Sequence, residues 1–456
     1  MVQQLKIDQI IRLKIKRLGI NGEGIGYYKQ FIVFVPNALP KEEVDVRIVV
    51  ITPKFAEGII KKIHKNSPER ITPDCPVYET CGGCQLQHLS YEAQLIFKRD
   101  LLKQALAKFK PENYSNYPLR KTLGMKNPWN YRNKAQFQLA QTNNKIYSGL
   151  YQAGSHQIVA IDNCPVQQTV INDIIQKIIK ILNNYNLPIY NEQKNSGIFK
   201  TLMVRNSIQT GKVQVVFITQ SKKFPNKLAI IQEIIQKCPE VISIMQNIQN
   251  EKTSVVMGEE TIHLWGEHQI EEKINQVTFR LSSRAFFQLN PKQTEILYGE
   301  AIKALDSLPS DKIIDAYCGV GTIGLSIARK VKEVRGMDTI PQAIEDAKQN
   351  AKKVNATNTY YEVGNAEKLL PKWLEQVFIP DGIIVDPPRV GLDKKLLQTI
   401  LNFPPKKLVY ISCNVSTLAR DLVSLTKVFK VDYLQSIDMF PQTARCEVVA
   451  KLTRKK

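Results

Sequence analysis

The chain has 456 residues, with 63 Lys plus Arg against 42 Asp plus Glu and a formal net charge of +21. That length suits about three domains, each large enough to bury a core, and the excess of positive charge favours a polyanionic partner, because every phosphate neutralised releases counterions. No apolar run is long enough to span a bilayer and none has the form of a signal peptide, so a soluble, cytoplasmic protein with no membrane partner is expected.

The eight cysteines do not form a disulfide framework in a chain of this class, since the cytosol keeps thiols reduced. Each has to be accounted for singly. Neither an internal repeat nor a long low-complexity segment is present, and nothing calls for an obligate protein partner.

Residues 1–66 carry short alternating runs, Ile10 to Ile15, Phe31 to Val35, Val44 to Val50 and Gly58 to Ile63, separated by turns such as Asn21-Gly22-Glu23-Gly24. Strands at this spacing without helical periodicity predict a small β-barrel, suited to an RNA backbone or to docking a protein. The run Gly22-Glu23-Gly24-Ile25-Gly26, followed by Phe34-Val35-Pro36-Asn37-Ala38-Leu39-Pro40-Lys41-Glu42, resembles the TRAM domain, an OB-like RNA-binding module.

A tight loop follows, with Cys75, Cys81 and Cys84 in a C-x5-C-x2-C arrangement. Soft sulfur ligands at one centre select zinc or an iron–sulfur cluster. The fourth ligand is either Cys164, in Asp162-Asn163-Cys164-Pro165, or His88. Four sulfurs suit a cubane cluster, three plus His a structural zinc, and spacing alone does not separate the two.

Residues 89–109 have helical periodicity that ends near Lys110-Pro111. From about 125 to 280 the pattern is mainly β, interrupted by helices at Val170 to Ile181 and Lys227 to Lys237, which predicts a central α+β domain over residues 67–280. Trp129, Tyr131, Arg132, Lys134 and Tyr151 are the residues in it of a type that grips RNA.

Residues 281–456 have the pattern of an α/β Rossmann-like domain. The strand Lys312 to Tyr317 runs into Cys318-Gly319-Val320-Gly321-Thr322-Ile323-Gly324 and a helix, with Asp338 ending the next strand. The glycines spell G-x-G-x-x-G, so a dinucleotide site competes with S-adenosylmethionine, and an acid at that strand end suits the ribose of either. What separates them is Asp386-Pro387-Pro388-Arg389, an Asp-Pro-Pro edge at the end of an apolar strand, which is a methyltransferase feature. The strand Leu408 to Ser412 then delivers Cys413 and Asn414 to the same edge. Two closing strands, Val431 to Met439 and Glu447 to Leu452, predict the antiparallel hairpin that ends a methyltransferase sheet and put Glu447 near Cys413.

Asp386-Pro-Pro-Arg-Val-Gly391, Tyr410-Ile-Ser-Cys-Asn414 with Thr417, and Asp438-Met-Phe-Pro-Gln-Thr443 ending at Glu447 resemble the RNA uracil-5 methyltransferases. With the TRAM-like start and the cysteines, the resemblance covers nearly the full chain and is closest to the 23S ribosomal RNA branch, the tRNA branch typically lacking both features. It implies a 4Fe-4S cluster on Cys75, Cys81, Cys84 and Cys164. It implies S-adenosylmethionine contacts from Gln288, Tyr317, Thr322, Asp338, Asn365 and Asp386. It also implies a catalytic pair, Cys413 adding to carbon 6 of uracil and Glu447 removing the proton from carbon 5. Two positions depart from the pattern: Arg445 stands where the family usually has His, and Cys446 where it has an aliphatic residue. The rival readings are an amino-methyltransferase using the Asp-Pro-Pro edge, a tRNA uracil-5 methyltransferase, and a catalytically idle RNA-binding or assembly protein.

Overall fold

The computed structural model describes residues 5–274 and 277–456. Alternation in Ile10–Lys14 and Glu43–Ile51 turns Ile11, Leu13, Val44, Val46 and Ile48 to one side, where Val33, Val35 and Ala56 meet them. These strands belong to a curled six-stranded sheet in the order Ile10–Lys14, Glu43–Ile51, Phe55–Lys65, Phe31–Val35, Gly24–Tyr28, Arg17–Leu18, the small barrel the spacing predicts.

A second sheet of seven strands contains Lys134–Thr142, Phe199–Asn206 and Val213–Thr219 at its middle. Helix Thr169–Leu182 presents Ile171, Ile174, Ile175 and Ile178 at the spacing of one helical face, and they pack with Phe137, Leu202 and Phe217 of the sheet. Helix Lys227–Lys237 makes the crossover between the parallel strands Val213–Thr219 and Val241–Ile248.

The third sheet positions the site. Its seven strands run in the order Thr359–Val363, Glu333–Asp338, Lys312–Ala316, Gly382–Val385, Lys407–Ser412, Glu447–Arg454, Phe429–Ile437. Neighbours among the first five pair parallel, and Glu447–Arg454 pairs antiparallel with both Lys407–Ser412 and Phe429–Ile437. The chain reverses its direction of winding between Lys312–Ala316 and Gly382–Val385. Ligands of open α/β sheets collect at that switch point, beyond the carboxyl ends of the strands.

Two features tie this sheet to the rest of the chain. Helix Tyr91–Phe109, ended by left-handed Lys110 just before Pro111, packs Leu101, Leu102 and Leu106 into one core with Leu418 and Leu422 of helix Val415–Leu425. Residues 118–123 then lie along the edge strand, with Leu119 bridging Leu434 and Leu123 bridging Ile437. No helix among the described residues is long and apolar enough to cross a membrane.

Candidate active site

The registers of the third sheet bring three strand ends together. Ala316 pairs with Val385, Val385 with Tyr410, and Ser412 with Val448, so one residue further on Cys413 comes opposite Glu447. Asp386 leaves the neighbouring strand at the same edge.

Helix Val415–Leu425 fixes the loops. Asn414 caps it by accepting from Ser416 N at 3.0 Å, and its amide donates to the carbonyl of Arg389 at 2.9 Å. Thr417 Oγ1 donates to that carbonyl at 3.3 Å, and Arg420 Nη2 to the carbonyl of Val390 at 2.9 Å. Asp421 Oδ2 accepts from Leu392 N at 2.9 Å and from the Tyr410 hydroxyl at 2.8 Å. The Asp-Pro-Pro-Arg loop is thus tied to the helix that begins beside Cys413.

The charges around the sulfur act on one another. Burial first, then Glu447 and Asp386, push the Cys413 thiol up to about 11, and Arg389 opposes them. Glu447, 6% exposed, is held well above the ordinary carboxyl range by burial and by Asp386. Burial raises Asp386 to about 7. Arg445 faces both Arg389 and Cys413.

The residues expected to hold the cofactor fall into two groups. Tyr317, Asp338 and Asn365 line a cavity of about 880 Å³ together with Pro388 and Asp393. Asp338 accepts from Gly319 N and from Ile340 N, both at 3.0 Å, which shapes the glycine loop. Tyr317 has a left-handed backbone (φ 67°), a conformation that costs a non-glycine residue roughly 1–3 kcal/mol and that concentrates at functional sites. Gln288 and Thr322 lie elsewhere: both side chains act on the hydroxyl of Tyr298, a buried residue of helix Pro291–Leu305 that also feels Asp386.

Tyr298 was not legible, because a tyrosine on the buried face of an amphipathic helix has the pattern of a core residue. Asp315 was missed for the same reason. It is 1% exposed and accepts from Gly324 N at 2.8 Å, and burial raises it to about 7.

A second centre lies in the central segment. Cys75, Cys81, Cys84 and Cys164 line one cavity of about 290 Å³. His88 is not among its lining residues. It is buried, and its Nδ1 shares a hydrogen bond of 2.6 Å with the Tyr78 hydroxyl. Gly82 lets the cysteine loop lie close to its neighbour, since a Cβ there would sit in tight contact, 3.0 Å, with the carbonyl oxygen of Tyr151.

Of the residues expected to grip RNA, Tyr131 is instead a core residue, 3% exposed, whose hydroxyl donates to the carbonyl of Pro441 at 2.9 Å. Arg132 lines the cysteine cavity. Lys134 is drawn down to about 7 by burial and by the nearby Arg205 and Arg132. Trp129 is half-buried, and Tyr151 is exposed, its ring 5.5 Å from that of His156.

Residues 90–455 match the family model described as tRNA (uracil-5-)-methyltransferase, and residues 4–61 match the TRAM domain. The chain is 67% identical over its whole length to an RNA methyltransferase of Enterococcus faecalis, covering 100% of both chains. It is 52% identical to an RNA methyltransferase of Streptococcus agalactiae, covering 98% of this chain and 99% of the other. Among solved structures it is similar to the Pyrococcus abyssi tRNA (uracil-54, C5)-methyltransferase in complex with S-adenosyl-L-homocysteine, with a TM-score of 0.77 and 28% identity over 97% of this chain and 99% of that one. With a glycine loop and an acid-lined cavity at the switch point of a methyltransferase sheet, and a TRAM barrel ahead of it, this chain belongs to the RNA (uracil-5-)-methyltransferase family of S-adenosylmethionine-dependent enzymes.

Proposed function

We propose that the protein methylates carbon 5 of a uridine in 23S ribosomal RNA through a covalent bond between Cys413 and the base. The observation that carries this reading is the register that sets Cys413 opposite Glu447 at the edge where Asp386 emerges. Carbon 5 of uracil is a poor nucleophile, and a thiolate adding at carbon 6 makes it an enolate carbon able to take a methyl group. S-adenosylmethionine supplies that methyl as an electrophile when bound. Tyr317, Asp338 and Asn365 suit its nucleoside, and Gln288, Thr322 and Asp386 suit the end nearer the reacting centre.

Cys413 gives up its thiol proton to water as the uridine enters, forms the bond to carbon 6 as the thiolate and holds it while carbon 5 is alkylated. Glu447 then takes the proton remaining on carbon 5, the electron pair re-forms the 5,6 double bond, and the Cys413 sulfur leaves. A carboxyl raised by burial is a stronger base once ionised than one in water, which suits this role. A stacked base hides both ring faces, so the uridine has to be splayed out of its loop to meet the sulfur.

The test is trapping. RNA containing 5-fluorouridine carries no removable proton at carbon 5, so it should leave the wild-type protein joined to RNA on a denaturing gel. Cys413→Ala should bind cofactor and RNA but form no adduct and transfer no methyl. Glu447→Gln should accumulate adduct on ordinary RNA. An amino-methyltransferase would trap nothing, and a Cys413→Ala variant that still methylates uridine defeats the assignment.

The same reading gives Cys75, Cys81, Cys84 and Cys164 to a 4Fe-4S cluster. Its support is that the four thiols line one cavity while His88 lies outside it, and four sulfurs suit a cubane cluster. Such a cluster supplies cross-links between the loop 75–84 and the segment around Cys164. Anaerobically purified protein should contain iron and acid-labile sulfide; zinc without iron overturns this part.

A transfer RNA substrate is the second reading, favoured by the Pyrococcus abyssi enzyme. That protein is a tRNA (uracil-54, C5)-methyltransferase and aligns with 97% of this chain, so the barrel by itself does not separate the two branches. Mapping 5-methyluridine in ribosomal and transfer RNA with and without the protein decides between them.

A further inference from the structure

Two arginines at the mouth of the site have no counterpart in the mechanism above. Arg389 leaves the Asp-Pro-Pro edge and Arg445 precedes Glu447 by two residues on the other side of Cys413. Both are exposed, and neither guanidinium makes a hydrogen bond or an ion pair with any described residue. Arg420, which donates to the carbonyl next to Arg389, is by contrast satisfied, pairing with Asp421 at 2.8 Å.

The two side chains are not free to drift apart at their bases. The Arg389 carbonyl is held by Asn414 and Thr417, the residues just after Cys413. Arg445 N donates to Thr443 Oγ1 at 3.2 Å, in a loop whose next residues, Cys446 and Glu447, are buried. Each arginine acts on Cys413, and Arg389 acts on Arg445 as a like charge. Arg389 also feels the buried Glu447 carboxyl, yet neither guanidinium is paired with a carboxylate, and an anion between two such cations stabilises both. The uracil ring is neutral until the sulfur adds to it, and the RNA backbone is what brings a permanent anion to this place when the strand binds.

We propose that Arg389 and Arg445 together clamp one backbone phosphate beside the target uridine, with Arg445 the arm particular to this chain. This rests on the reading that Cys413 and Glu447 mark the place of the base. Guanidinium forks match the oxygens of a phosphate diester in a bidentate way that an imidazole at position 445 does not. The clamp also adjoins the barrel: a Cβ on Gly22, in its glycine-rich turn, would lie 3.5 Å from the Cβ of Ala444. The barrel turn and the residue before Arg445 therefore adjoin, and one strand of RNA can touch both the turn and the clamp. A phosphate held there fixes the register of the strand without reading its sequence.

The test measures binding of a ten-residue oligouridylate to the full chain over a range of salt concentrations. Arg445→Gln and Arg389→Gln should each lower the affinity several-fold and reduce the slope of log affinity against log salt by about 0.7, the single-strand value for one phosphate. The double variant should lose no more slope than either single one, because the two arms share one phosphate. Arg445→Lys should keep the slope and lose only part of the affinity. An unchanged slope in Arg445→Gln, or additive losses in the double variant, overturns the clamp. So does RNA binding by Arg445→Gln that equals wild type at every salt concentration, with only the pH profile of Cys413 alkylation moved, which would make Arg445 a partner of the thiolate alone. The binding measurement needs no chemistry, so it stands apart from the trapping experiment: absence of a 5-fluorouridine adduct in wild type defeats the nucleophile and leaves the clamp to be judged on its own slopes.

Discussion

Cys413 is under opposed influences, and their balance sets when it reacts. Burial and the carboxylates of Glu447 and Asp386 hold its thiol near 11 rather than 9.0, while Arg389 draws it down. A raised value means that the sulfur keeps its proton at neutral pH. Alkylation by iodoacetamide, which needs the thiolate, should therefore rise about tenfold per pH unit from 7 to 10 and level near 11. Glu447→Gln removes a negative neighbour and should bring the inflection down; Arg389→Gln should raise it. Peptide-resolved mass spectrometry follows Cys413 apart from the other thiols, and an inflection at or below 9 would contradict the account of its surroundings. Tyr298 gives a second residue-scale prediction. Its hydroxyl joins Gln288 and Thr322, so Tyr298→Phe should weaken S-adenosylhomocysteine binding by about 1 kcal/mol, roughly fivefold, in calorimetry. An unaltered affinity would make Tyr298 a packing residue only.

At the scale of elements, the loop 438–446 carries Glu447 into place and is anchored by a helix far away in sequence. Lys98 on helix Tyr91–Phe109 pairs with Asp438, both side chains fully buried, and donates to the carbonyl of Phe440 at 3.0 Å. Gln94 on the same helix exchanges two hydrogen bonds with Gln442, each 3.0 Å. Lys98→Met leaves a buried carboxylate unpaired and should cost about 3–5 kcal/mol, seen as a large fall in Tm. Lys98→Met with Asp438→Leu should recover much of it, since a matched apolar pair replaces a buried ion pair at little cost. If the double variant melts as low as the single one, the pair is not the anchor. None of this coupling was legible beforehand. The periodicity of residues 89–109 discloses a helix, but a buried Lys in it looks solvent-facing until its partner, more than three hundred residues later, is known. Residues 118–123 join the sheet edge through bridges too short to leave an alternating pattern. Cys413 and Asp386 could be placed at one edge because each stands where an apolar strand breaks abruptly into polar or proline-rich sequence, and Glu447 because it begins the antiparallel strand that starts from that edge.

For the whole molecule, the question is how a barrel, a cysteine-lined centre and a catalytic cleft act on one RNA. The contacts form a chain of three links. Gly22 of the barrel turn packs on Leu86 and Gln85, just after the cysteine loop. Gln85 N and Leu86 N both donate to the carbonyl of Gln442 at 3.0 Å, and Gln442 belongs to the loop that ends at Glu447. Gly22 itself has φ +89°, and a Cβ on it would lie 3.0 Å from Leu86 Cδ2 and 3.3 Å from Gln85 Cβ. Gly22→Val therefore adds backbone strain of about 1–3 kcal/mol to a crowded contact, while the barrel keeps its separate core of Ile11, Leu13, Val44 and Val46. The cheapest relief is to separate the turn from the cysteine loop. Gly22→Val should then cleave faster in limited proteolysis between the barrel and Cys75, bind RNA more weakly and methylate it more slowly, with S-adenosylhomocysteine affinity unchanged because no residue of the turn, the cysteine loop or the loop 438–446 lines that cavity. Equal RNA affinity and turnover alongside faster proteolysis would mean that the barrel is a tethered RNA hook whose docking on the cysteine loop the reaction does not use.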